Sequence, residues 1–189
     1  NLYDNYITDL ASSLIRTEDD ESSINIANSK IYENNTRNCE LTGRLTILNT
    51  QITNNGTDEF GNGGVIICPN SYLDMDNVTL AYNNSGTKIF GTNNGQIIDW
   101  DITNSIIWGN IYQHESVSSS NVTVSYSNIE GGINFFGFED NPLPTWGEGN
   151  IYDQPLFCTP EDNDFTLWSD SPCVDSGYAG ENMGAFDIG

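Results

Sequence analysis

Apolar residues recur along this chain in a fixed phrase. It reads INIANSKIYEN at 24–34, LTILNTQITNN at 45–55, LDMDNVTLAYN at 73–83, WDITNSIIWGN at 100–110 and VTVSYSNIEGG at 122–132. The starts lie 21, 28, 27 and 22 residues apart. A repeat in that range is the mark of a solenoid. The first position of the phrase is Ile24, Leu45, Leu73, Trp100 and Val122, and two residues on lie Ile26, Ile47, Met75, Ile102 and Val124. Alternation at period two predicts a strand with one face buried. Five residues later a third apolar column follows: Ile31, Ile52, Leu80, Ile107 and Ile129. Between the apolar columns stand Asn28, Asn49, Asn77 and Asn104, with Tyr126 in the fifth copy. Asparagine tolerates the left-handed backbone of a sharp corner, and its amide can bond the matching residue one repeat away. A second polar column is Asn34, Asn55, Asn83, Asn110 and then Gly132. The predicted unit is strand, Asn corner, strand, Asn turn. An amphipathic helix would need apolar residues at i, i+3, i+4 and i+7, a spacing the phrase lacks.

These residues resemble the right-handed parallel β-helix repeat proteins that bacteria secrete or display. Asn104-Ser-Ile-Ile-Trp-Gly-Asn110 is close to a coil of that family. NIYDQPLF, PEDNDFTLWSDSPCVDSG and NMGAFDIG, within 150–189, resemble the terminal module that closes many such helices. The resemblance implies an all-β chain: a right-handed, single-stranded parallel β-helix of about five coils over 1–132, and a capping module over 133–189. Within that module 133–149 breaks the phrase, with Phe135, Phe136, Phe138, Trp146, Pro142 and Pro144, and is expected to fold over the side or end of the coils. The resemblance says nothing about chemistry.

Charge narrows the partners. Five basic residues face 27 acidic ones, a net charge of −22. That excess argues against nucleic acid and anionic membranes, which call for Lys and Arg clusters. It suits an extracellular or cell-surface location, with divalent cations as counterions, or simply a solenoid kept soluble by its acids. No signal peptide and no apolar run near about 18 residues is present, so membrane insertion is not expected. Asn1 reads as a mature or truncated end. An open β-helix end exposes a strand edge, so an upstream chain or a neighbouring subunit is expected to stack on the N-terminal coil.

The four cysteines are read as two disulfides. Cys39 lies six residues before Leu45 and Cys68 five before Leu73, near one column of adjacent coils and within disulfide reach. Cys158 and Cys173 share the terminal module and are expected to pair there. Such bridges favour an oxidising compartment. A zinc site is the weaker alternative, since there is no Cys-x-x-Cys and His114 is the sole histidine.

Candidate chemistry is sparse. The pectate-lyase-like enzymes on this fold need an acidic calcium cluster and a basic residue; Arg16, Lys30, Arg37, Arg44 and Lys88 form no such pattern. Of the polygalacturonase-like motifs, Asn49-Thr-Gln51 breaks the first, and Asp19-Asp20 lies in a charged loop. His114 sits in a polar loop, where a lone histidine is seldom functional. Asp74 and Asp101 occupy one column, with Asp76 and Asp99 on the same strand face. Crowded carboxylates raise one another's pKa or gather a cation. Three readings stand: a solvated acidic face, a Ca²⁺ site, or a paired-carboxylate glycosidase site. Tyr32, Tyr82, Trp108 and Tyr112 form a candidate glycan face, or else pack under loops. The column Ser29, Thr50, Val78, Ser105, Ser127 is too mixed for an ice- or mineral-binding array. The expected function is a non-catalytic structural or adhesive module of a larger secreted or surface protein or fibre. The alternative is a polysaccharide-binding or polysaccharide-degrading protein, resting on fold analogy.

Overall fold

The computed structural model describes residues 2–3, 6–7, 23–33, 35–36, 39–56, 65–84, 89–90, 98–111, 120–136 and 144–189, with 2–3, 6–7, 35–36, 39–43, 65–71, 98 and 120 as backbone alone. It is an all-β structure. The strands are β1 (Leu2–Tyr3), β2 (Tyr6–Ile7), β3 (Ser23–Ala27), β4 (Lys30–Tyr32), β5 (Asn35–Thr36), β6 (Cys39–Thr53), β7 (Val65–Ala81), β8 (Ile98–Thr103), β9 (Ile106–Trp108), β10 (Ser120–Ser125), β11 (Asn128–Ile129) and β12 (Thr145–Trp146). The tail adds β13 (Phe157–Thr159) and β14 (Asp164–Leu167), an antiparallel pair. Helix among the described residues is limited to 3-10 turns at Gly132–Phe136, Pro160–Asp162 and Tyr178–Gly180.

Among the described residues, ten strands join one large parallel sheet. Its register follows the repeated phrase. Ile26 pairs with Ile47, Ile47 with Met75, Met75 with Ile102, and Ile102 with Val124. Ile31, Ile52, Leu80, Ile107 and Ile129 form a second in-register row. Both rows are buried, in one core with Leu45, Leu73, Trp100 and Val122. Register is fixed here because a slip by one residue would turn every apolar side chain outward.

The corners explain the asparagines. Asn28, Asn49, Asn77, Asn104 and Tyr126 all have φ between 43° and 52°, the left-handed region. A second left-handed set, Glu33, Asn54, Tyr82, Gly109 and Gly131, stands one residue before the second polar column. Asn55, Asn83 and Asn110 of that column turn inward. Asn55, with both its backbone N–H and its amide, donates to Asn83 Oδ1, and Asn83 donates to Asn110 Oδ1 in the same way, at 2.9–3.1 Å. Their amides also reach the backbone carbonyls of Ile31, Ile52 and Leu80. The three form a ladder of buried side chains that satisfies the turn's own polar groups. From Thr50 onward the Ser–Thr column is buried too, and does parallel work. Val78 N–H donates to Ser105 Oγ, Ser105 N–H to Ser127 Oγ, and Ser127 N–H to Asn150 Oδ1.

Two expectations change. The parallel register does not stop at residue 132: Thr123 pairs with Thr145, Val124 with Trp146, and Asn128 bridges Ile151. Residues 145–151 are a further repeat, one residue longer because of Gly149. Gly149 has φ 74°, and a Cβ there would lie 2.3 Å from the Tyr126 ring. The aromatics before it are core rather than cap. Phe135 and Phe136 are buried, and both rings pack on Phe90, which lies 5.4 Å from Trp100. Phe138 and Pro142 lie outside the described residues.

The second correction concerns Cys39 and Cys68. Cys39 is the register partner of Val65, and Cys68 that of Thr42. Two extra residues in β7, beyond the break at Gly43, carry the cysteines three positions apart. That offset puts their Cα atoms about 11 Å apart on strand dimensions, beyond the ~7 Å limit for a disulfide.

The tail crosses the side of the stack. Ile151 leaves from the last repeat, and Asn163 reaches Glu33, Gln51 and Asn54 on the first two. The chain then returns: Cys173 meets Asn128, Tyr178 and Gly184 meet Asn104, and Ala185 meets Thr79. A second apolar cluster lies beneath it, formed by Ala81 and Ile106 of the sheet with Phe157, Phe165, Leu167, Cys173 and Met183 of the tail.

Candidate functional site

The acidic face follows from the alternation of β7 and β8. Leu73, Met75, Trp100 and Ile102 are buried, so Tyr72, Asp74, Asp76, Asp99 and Asp101 point the other way. Asp74 is the register partner of Asp101, Tyr72 of Asp99, and Asp76 of Thr103. Burial raises the pKa of Asp74 above the usual carboxylate value, and the charges of Asp101 and then Asp76 add to the rise, while a Tyr72 hydrogen bond opposes it. Burial likewise raises Tyr72, followed by Asp74, Asp101 and Asp99. The Arg44 guanidinium, 5.3 Å from the Tyr72 ring centroid, acts the other way.

The four aspartates do not close into a cage. They stand in rows on a pleated surface, and Asp76 is drawn aside as the acceptor for Asn104 Nδ2 at 2.9 Å. Among the described residues, no group of three or more His, Cys, Asp or Glu side chains has the geometry to hold a metal ion. The calcium expectation for Asp74, Asp76, Asp99 and Asp101 therefore has no geometric support. What the face presents is a carboxylate pair, Asp74 and Asp101, on adjacent strands, with one member biased toward its protonated form.

The aromatic column is met by the tail. Tyr32, Thr53, Ala81 and Trp108 are successive register partners. Trp108 packs against the second apolar cluster. Tyr82 lies 6.4 Å from Phe157 and 5.8 Å from Phe165, so its ring rests on the tail rather than on an open platform, although 42% of it remains exposed. Tyr112 and His114 lie outside the described residues.

Cys158 and Cys173 are free thiols, not a disulfide. They face different neighbours. Cys173 is buried and accepts the Asn128 amide at 3.0 Å. Cys158 is half-buried, close to the backbone of Gly189. Burial pushes the Cys173 thiol up to about 11, against the opposing hydrogen bonds of Asn128 and Ser171.

The Asn128 contact and the tail's return across the stack were invisible in the sequence, because they join residues far apart in the chain. The signals that could have shown them are Gly184, the corner residue Asn104, and the polar positions Thr79 and Asn128 on strands otherwise rich in apolar residues. Among the described residues, no helix is long and apolar enough to cross a membrane. Compared with known proteins, the chain matches no protein-family model, no curated protein and no solved structure.

Proposed function

We propose that the chain is part of a right-handed, single-stranded parallel β-helix that serves as a structural or adhesive module of a secreted or cell-surface protein. The observation that carries this reading is the inward column from Ile26 to Trp146, in register through every repeat between them. Such a stack is stiff, and each repeat buries its apolar face only against its neighbours. The acidic composition supports an extracellular setting. In this reading the partner is an upstream segment, or a neighbouring copy, that adds strands to the first repeat. The test is binding of the purified chain to arrayed glycans, with and without calcium, alongside turnover assays on neutral and uronate polysaccharides. Adhesion or self-association without turnover supports the reading.

A second reading is favoured by one observation, the register pairing of Asp74 with Asp101 and the raised pKa of Asp74. Paired carboxylates with separated pKa values are the machinery of glycoside hydrolysis. Polysaccharide turnover abolished by Asp74→Asn with Asp101→Asn would replace the adhesive reading with this one.

A further inference from the structure

A cavity of about 380 Å³ opens where the tail passes the left-handed corner of the stack. Asn49 and Asn77 line it from the corner, and Asp175, Glu181, Phe186 and Asp187 from the tail. Its volume lies within the ~300–1,000 Å³ range of small-molecule sites. The acidic strand face is a separate feature, and none of its aspartates lines this cavity.

The wall's charge is one-sided, and several of its donors are already engaged. Asp175 N–H donates to Asn182 Oδ1, Gly180 N–H to Gly177, and Glu181 N–H to Tyr178. Gly184 N–H donates to Asn104 and Ala185 N–H to Thr79 Oγ1. The Asn49 amide donates to Asn28, and the Asn182 amide to Asp187. Acceptors remain: the Asp175 and Glu181 carboxylates make no side-chain hydrogen bond, and Asn77 Oδ1 is a buried oxygen without a partner. Among the described residues, no Lys, Arg or His lines the wall.

An anionic cavity with free acceptors suits a ligand that brings both donors and positive charge. Phe186 adds an apolar surface, and its ring already receives an alkylammonium, that of Lys30, whose Nζ lies 4.8 Å from the centroid. A bare metal ion fits poorly, because no metal-holding group exists among the described residues and the space far exceeds one ion. Phosphates and uronates would meet carboxylates. We propose that this cavity binds an organic polycation of the alkyl polyammonium class, its ammonium groups at Asp175, Glu181 and Asp187 and its methylenes along Phe186. This inference does not rest on the adhesive reading.

Spermidine is the probe, titrated calorimetrically into the full chain at low and at physiological salt. The expected result is one saturable site. Its affinity falls about tenfold or more in the Asp175→Asn, Glu181→Gln variant and stays unchanged in Asp74→Asn, Asp101→Asn. Both substituted carboxylates are exposed, and asparagine suits the left-handed backbone of Asp175, so folding should survive; a melting curve checks it. Hexane-1,6-diol, tested on the unaltered chain, should not bind, and this arm needs no variant. Several weak sites, equal in the unaltered and wall-variant chains, would mean counterion condensation on an acidic protein and overturn the proposal. Loss of binding only in the Asp74, Asp101 variant, or equal binding of the diol, would overturn it as well.

Discussion

At the scale of single residues, the asparagines carry the fold. The sequence marked two asparagine columns, one as a corner and one as a turn. One column does take the left-handed corner, as Asn28, Asn49, Asn77 and Asn104 show. The other is offset by one residue from the left-handed turn, and for that reason its side chains point inward and stack. Asn83→Ala would remove one acceptor of the Asn55 N–H, one of those of its amide, and a donor to the Ile52 carbonyl, all in a buried site. The expected cost is about 3 kcal/mol, read from denaturant unfolding. A loss well under 1 kcal/mol would mean that water replaces the ladder.

Asp74 gives a prediction of opposite sign. Its folded pKa lies above the unfolded value, so ionising it weighs against the fold at neutral pH, and the penalty fades as pH drops through the carboxylate range. Asp74→Asn is therefore expected to stabilise at pH 7 by about 0.5 kcal/mol, the scale of a partly solvated charge pair. The gain should vanish below roughly pH 4 and shrink in high salt. Thiol labelling reads the cysteines in the same way. At neutral pH a small alkylating reagent should modify Cys158 and spare Cys173, which stays protonated and buried until the chain unfolds. A resistant Cys158–Cys173 crosslink in the unreduced protein would contradict that.

At the scale of elements, strand spacing was legible where side chains alternate strictly, and it failed where one residue was inserted. The columns from Ile24 to Val122 pair as the phrase aligns them, because burial on one face leaves a strand a single workable register. The repeat at 145–151 escaped notice because Trp146 replaces an aliphatic residue and Gly149 lengthens the corner. The cysteine pairing failed for a related reason, the break at Gly43, which no apolar pattern announces. Gly149→Ala tests the hidden repeat. A methyl group there meets the Tyr126 ring, which itself packs edge-on against Tyr178 at 5.3 Å. Left-handed strain and the clash together should cost about 3 kcal/mol and shift the tyrosine near-ultraviolet signal. A neutral effect would show that 145–151 sits loosely on β10.

At the scale of the whole molecule, the tail decides whether the stack stands alone. The sequence placed a terminal module at the end of the repeats; its path along their side depends on contacts between 151–187 and every preceding repeat. Deleting 154–189 would strip Phe157, Phe165, Leu167 and Met183 from the second apolar cluster and uncover Ala81, Ile106 and Trp108. At about 2 kcal/mol per buried side chain, the loss is on the order of 8 kcal/mol, comparable with the ~5–15 kcal/mol that holds a whole domain. The same deletion removes the partners of Thr79 Oγ1, the Asn104 carbonyl and amide oxygen, and the Asn54 amide. The tail also joins residues more than a hundred positions apart, such as Asn54 and Asn163, so its docking comes late in folding, after the stack has formed. The truncated chain is therefore expected to reach a strand-rich but sticky state, one that binds a hydrophobic dye and elutes as aggregates. Restoring the tail as a separate peptide should not rescue it, because docking would then have to recover the lost translational freedom. A truncated protein that runs as a monomer and melts cooperatively near the full chain's temperature would show instead that the parallel stack is self-sufficient and the tail only rides on it.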